Sequence, residues 1–341
     1  MRGRLSFLLI ALLGFAGCGA SCKRTPDAVT NEEGGEVVEL PGVDTGSLIL
    51  TEKRLFSKVV REVMSPCGDP VTLEVCVKEA RACNRCVPAA KTVAKMVSKG
   101  EGEKEIRDWL ENRFDDKAVK QIDLGSSPSL GPADAPVVVV EWADFECPHC
   151  GMAAPVIHKT IEDPELKPKT RFVFKNFPLP THEHADAAAR ATVAAGNQGK
   201  FWEMHNQLFT HQEQLTNQEI EGFAKKLGLD VDKFKADWVS NETKDKVAKD
   251  KELGAKIGVT GTPALYINGR KFMQYGHGDF GDQLKDWLRL ELAIKKGSAP
   301  AASAAPPPAS ASAAQPASAS ASGPPAPAAS SAAPSASTKG S

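Results

Sequence analysis

The run Val137-Val138-Val139-Val140 leads through Glu141-Trp142-Ala143 to Cys147-Pro148-His149-Cys150, and this conjunction constrains the chain more than any other feature. A short run of β-branched residues reads as a strand covered on both faces. A Cys-x-x-Cys that follows such a strand puts its first sulfur at the N-terminus of the next helix, where unpaired backbone N–H groups and the helix dipole favour an anion. Cys147 is therefore expected as a partly exposed thiolate. Cys150, one turn on and on the same face, is expected to attack a mixed disulfide formed at Cys147.

Cys-x-x-Cys is also half of a zinc site or an inert disulfide. No cysteine follows Cys150, so no second ligand pair lies downstream. What does follow is Val259-Thr260-Gly261-Thr262-Pro263, where a proline opens a second apolar strand running into Asn268-Gly269, a hairpin signal. A proline at that place suits a cis peptide, whose backbone can pair with an extended peptide held against the active sulfur. Pro263 thus joins the candidate catalytic residues, with Pro148 and Thr262 as candidate substrate-binding residues.

Two further side chains carry chemistry. His149 lies between the sulfurs, and an imidazole there stabilises the Cys147 thiolate by charge or hydrogen bonding. Glu141 places an acid six residues before Cys147 in a strand that should be apolar throughout. Its alternatives are a satisfied structural carboxylate and a functional buried acid. Asp144, Glu146, His182, His184 and His205 read as surface, capping or core residues, and Trp142 and Phe145 as core or rim.

From about residue 123 to 296 the chain resembles the DsbA-like branch of thioredoxin-fold proteins. The likeness runs through Gly131-Pro132-Ala133-Asp134-Ala135-Pro136, Asp144-Phe145-Glu146-Cys147-Pro148-His149-Cys150, Phe177-Pro178-Leu179, Gly199-Lys200-Phe201-Trp202 and Gly261-Thr262-Pro263. The resemblance implies an α/β, thioredoxin-like fold and a periplasmic thiol–disulfide oxidoreductase with no cofactor. It makes Cys147 the nucleophile, Cys150 the resolving thiol, Pro263 the cis-proline facing them, and Glu141 the carboxyl that relays the resolving thiol's proton. The implied partners are reduced or misoxidised exported proteins and a membrane redox partner that recycles the pair. Thr262 stands where the best-known dedicated oxidase has valine and where isomerases have threonine, so oxidase, isomerase and reductase directions all stay open.

The chain ends point the same way. Met1-Arg2-Gly3-Arg4 is a basic start, Leu5 to Phe15 an apolar stretch too short for an ordinary membrane span, and Ala16-Gly17-Cys18 follows. This reads as a lipoprotein-type signal peptide over 1–17 with Cys18 lipidated, or with Cys22 in that role, anchoring the chain to the periplasmic face of a bacterial envelope membrane. A formal net charge of -1, from 42 basic and 43 acidic residues, carries no electrostatic footprint for nucleic acid.

Between the ends, 18–47 reads as a linker and 48–122 as a small helical module with Cys67, Cys76, Cys83 and Cys86. Residues 123–296 read as the thioredoxin-like domain with a helical insertion over about 181–257, and 297–341 as a disordered Ala/Pro/Ser tail. The four module cysteines allow two structural disulfides, a second redox pair at Cys83-Asn84-Arg85-Cys86, or a structural zinc. Cys83 to Phe114, through Gly100-Glu101-Gly102, Glu105-Ile106 and Asn112-Arg113-Phe114, faintly resembles the thiol-reducing subunit of cytochrome c maturation. That likeness implies a thiol carrier serving a dedicated partner as the alternative function.

Overall fold

The computed structural model describes residues 36–276 and 278–298. The leader, Cys18, Cys22 and the tail beyond Ser298 lie outside the described residues.

A five-stranded mixed sheet carries the chemistry. Its centre is β2 (Val137–Ala143), parallel to β3 (Thr170–Asn176) on one side and antiparallel to β4 (Ala264–Ile267) on the other. β1 (Ser129–Leu130) and β5 (Arg270–Lys271) complete the order β1-β3-β2-β4-β5. β1 is only two residues long and carries no periodicity in the sequence. Gly131 makes that edge pairing sterically open: its φ is +86°, and a Cβ there would lie 2.1 Å from the Thr170 carbonyl oxygen.

Alternation along β2 divides the core. Val137, Val139 and Ala143 join Phe145, Ile157, Phe172 and Phe174, whereas Val140 and Trp142 join Val173, Phe177 and Tyr266. The first face is covered by α5 (Pro148–Ile161) and α11 (Phe280–Ser298), which pack on each other. The second is covered by α10 (Asn241–Ile257), whose Asp250 carbonyl accepts from Trp142 Nε1 at 2.9 Å. By parity Glu141 belongs to the α5 face.

The expected helical insertion is present between β3 and β4: α6 (Ala185–Gly196), α7 (Phe201–Thr210), α8 (Asn217–Lys226), α9 (Val231–Val239) and α10. Thr216, Asp230 and Ser240 cap the last three through the backbone N–H groups of Glu219, Lys233 and Thr243.

The N-terminal part is helical, with α1 (Leu50–Glu62), α2 (Leu73–Lys78), α3 (Cys86–Ser98) and α4 (Glu103–Phe114). α2 is short, and two residues after it the chain turns at Ala80, where φ is 46°. That turn brings Cys83 to Cys67, and Cys76 bonds Cys86. A Cys83–Cys86 bond and a four-thiolate zinc are thereby corrected: Cys83 and Cys86 each bond a different partner, in pairs that bring together residues 16 and 10 apart in the chain.

Another expectation changes. The C-terminal part of the expected linker is packed, since Val38, Leu40 and Thr45 are buried and the Val38 amide donates to Ser57 Oγ at 2.8 Å. The helical part also shares one compact unit with the sheet. Trp109 meets Tyr275 and Trp287 edge-on at 5.9 and 5.3 Å, and the buried Arg113 pairs with Glu291 at 2.8 Å. Asn112 Nδ2 donates to the Lys271 carbonyl at 2.8 Å, so α4 also grips the edge strand β5. No described helix is long and apolar enough to cross a membrane.

Candidate active site

β2 ends at Ala143, and Asp144 to Cys147 turn the chain into α5, with Cys147 as the N-cap and Pro148 as the first helical residue. A proline costs nothing there, because that N–H has no helical partner. Cys150 follows in the first turn, fully buried, and accepts from the Asp144 amide at 3.5 Å.

Cys147 is 5% exposed, which corrects the expected partial exposure. The reason is the loop before β4. The Thr262–Pro263 peptide is cis, and the Cys147 thiol donates to the Thr262 carbonyl at 3.5 Å, so this loop covers the sulfur. Both cysteines are thiols here. Beside the Thr262–Pro263 loop, a groove of about 380 Å³ is lined by His149, Met152, Thr262, Pro263, Phe272 and Phe280. Pro148 and His149 are exposed, and His149 forms part of the groove wall. Met152 is 63% exposed and offers an apolar, adaptable contact.

Glu141 is 1% exposed, and neither carboxylate oxygen has a hydrogen-bond partner. Burial pushes its pKa up to about 8. The Cys150 thiol is pushed well above the usual range, first by burial and next by the negative charge of Glu141, with the Asp144 amide and the Thr262 side chain opposing. A carboxyl that holds its proton to near neutral pH stands behind a thiol that cannot ionise unaided.

Asp144 and Gln212 were not singled out by the sequence as site residues. The Asp144 carboxylate is buried and accepts from the Glu146 and Leu179 amides at 2.8 and 2.7 Å and pairs with His182 Nδ1 at 2.8 Å. Glu146 Oε2 accepts from the His184 amide at 2.7 Å. Both acids of Asp-Phe-Glu-Cys therefore fasten the loop after β3 to the catalytic turn. Gln212 Nε2 donates to the Phe145 and Cys147 carbonyls at 2.8 and 2.9 Å, and its approach depends on Gly151, where a Cβ would lie 1.9 Å from Gln212 Oε1. Asp144 could have been found as an acid at a strand end inside the motif, whereas Gln212 comes from the insertion and left no sequence signal.

The thioredoxin family Thioredoxin_4 matches residues 123–294, half of the 341-residue chain. A Na(+)/H(+) antiporter NhaA 1 of Salinispora arenicola is 40% identical over 142 residues, 41% of this chain and 21% of that protein. Another of Mycolicibacterium gilvum is 34% identical over 171 residues, 49% of this chain and 27% of that protein. The chain thus spans about a quarter or less of the length of these curated relatives. Among solved structures, BdbD from Bacillus subtilis is 26% identical with a TM-score of 0.46, covering 52% of this chain and 97% of that one. The catalytic domain of Proteus mirabilis ScsC is 24% identical with a TM-score of 0.42, covering 56% of this chain and 98% of that one. With the family match falling on the sheet, the insertion and the cysteine turn together, the chain belongs to the thioredoxin family Thioredoxin_4.

Proposed function

We propose that the protein is an exported thiol–disulfide oxidoreductase that forms or exchanges disulfides in envelope or secreted proteins, with net oxidation as its favoured direction. The observation that carries this reading is the burial of Cys150 together with the unpartnered Glu141, next to a groove whose wall includes His149, Thr262 and Pro263. In this reading Cys147 attacks or is attacked, Pro263 and Thr262 align an extended peptide, and Pro148, His149 and Met152 line its path. A substrate thiolate attacks the Cys147 sulfur of the oxidised pair, and the electron pair of the broken bond leaves on Cys150. Glu141 delivers the proton that Cys150 then needs, and the second substrate thiol closes its own disulfide by expelling Cys147. The helix N-terminus and His149 stabilise the departing Cys147 thiolate, which favours oxidation of the substrate.

Recycling by a membrane redox partner and lipid anchoring through Cys18 belong to the same proposal. A dedicated thiol carrier or isomerase is the second reading, and the threonine at 262 favours it. The test is catalysis on unrelated reduced proteins. Substoichiometric chain with oxidised glutathione should accelerate disulfide formation in several reduced, unfolded proteins, and the acceleration should vanish in Cys147→Ala. Activity confined to one partner protein would select the carrier.

A further inference from the structure

Away from the groove, three sulfur atoms stand closer than two independent staples require. The Sγ atoms of Cys76, Cys83 and Cys86 all lie within 4.8 Å of one another, yet they belong to two disulfides, Cys67–Cys83 and Cys76–Cys86. Access differs between the pairs. Cys67 is exposed and borders a cavity of about 350 Å³ lined by Met64, Pro66, Leu110 and Phe114, whereas Cys76 and Cys86 are each 1% exposed. The buried Ser65 hydroxyl lies 3.6 Å from Cys76 Sγ and 3.7 Å from Cys86 Sγ, where it can donate to whichever sulfur carries charge.

Thiol–disulfide exchange needs a thiolate and a reachable disulfide sulfur, and a second disulfide beside the displaced thiolate can pass the exchange inward. We propose that these four cysteines form a second redox site that accepts electrons from a dithiol, with Cys67 as the sulfur attacked from outside and Cys83 as the carrier inward. A thiolate of the dithiol attacks Cys67, the Cys67–Cys83 bond breaks, and its electron pair leaves on Cys83. The Cys83 thiolate attacks Cys76 or Cys86, bonds to it, and expels the other as a thiolate that Ser65 stabilises. The dithiol's second thiolate then attacks its own sulfur in the mixed disulfide, which closes the dithiol's disulfide and frees Cys67. The dithiol loses two electrons and two protons, and the site ends with one disulfide containing Cys83 and two thiols. Cys83 thus never stays reduced while an inner disulfide remains to receive it.

The test is cysteine mapping after limiting reduction by dithiothreitol, with acid quenching, alkylation and peptide mass spectrometry. It uses the full chain and a Cys147→Ala/Cys150→Ala version, so that the catalytic reading and this one stand or fall separately. The expected two-electron product carries alkyl groups on Cys67 and on either Cys76 or Cys86, with Cys83 in a disulfide. Ser65→Ala should lower the yield of that product without changing attack at Cys67. Alkylation of Cys67 together with Cys83 while Cys76–Cys86 stays intact would overturn the proposal, as would simultaneous alkylation of all four.

Discussion

The Cys147 thiol faces the Thr262 carbonyl oxygen at 3.5 Å, and this single contact sets the direction from which the sulfur can be reached. With the Thr262–Pro263 loop above it and Cys150 buried, the sulfur lies next to the groove walled by His149, Met152 and Phe272. Replacing Cys150 by alanine leaves Cys147 in place without the thiol proposed to resolve its mixed disulfides. Cys150→Ala should accumulate mixed disulfides through Cys147 on non-reducing gels, and Cys147→Ala should accumulate none. Equal adducts from both variants would exchange the two roles.

Glu141 should act on both rate and stability. Glu141→Gln keeps the shape but cannot exchange the proton, so resolution of the mixed disulfide should slow on the order of 100-fold. The stability effect has a defined sign. Below about pH 4.5 the carboxyl is protonated folded and unfolded; between there and its folded pKa of about 8 only the unfolded chain ionises. Stability of the parent chain should therefore be present at low pH and lost as pH rises through that window, on the order of several kcal/mol in all. Denaturant unfolding at a series of pH values checks this, with Glu141→Gln lacking that loss.

His205 predicts the opposite slope. It is 1% exposed among Phe145, Phe174, Trp202 and Phe209, and burial lowers its pKa to about 3 from 6.5. Above 6.5 the imidazole is neutral in both states. As pH falls from there to about 3 only the unfolded chain takes the proton, so stability is lost at up to ~1.4 kcal/mol per pH unit. His205→Phe should shrink that acid-side slope by one proton's worth, read from the same unfolding series.

The attachment of the helical part rests on Arg113, which pairs with Glu291 and lies over the Trp287 ring at 4.9 Å. Removing one partner of a buried pair leaves the other charge without compensation, at a cost of about 3–5 kcal/mol. Arg113→Ala should lower stability by that order, and Arg113→Ala/Glu291→Ala by less than the sum of the singles. Chemical denaturation of the three variants measures the coupling.

These particulars show where the chain is legible. The Val137–Val140 run, Pro263 and Asn268-Gly269 each carry a local rule, so β2, the turn into α5 and the β4–β5 hairpin could be read directly. The helical insertion could be read from its apolar spacing. Contacts that join distant segments could not, because no local pattern encodes them: Gln212 on the Cys147 carbonyl, Asp144 on His182, Trp109 against Trp287, and the crossed pairing of the four cysteines. The burial of Cys147 belongs to the same class, since the loop that covers it arrives from more than a hundred residues away.

The most direct test of the central claim is the reduction potential of the Cys147–Cys150 pair. The full chain is equilibrated with defined ratios of reduced to oxidised glutathione, quenched with acid, alkylated, and read from the peptide that carries both cysteines. The pair is expected to be oxidising, with a potential above roughly -200 mV, on the side of protein disulfide isomerase and the strong periplasmic oxidant at about -180 and -120 mV. A potential at or below that of thioredoxin, about -270 mV, would contradict it and make the chain a reductant.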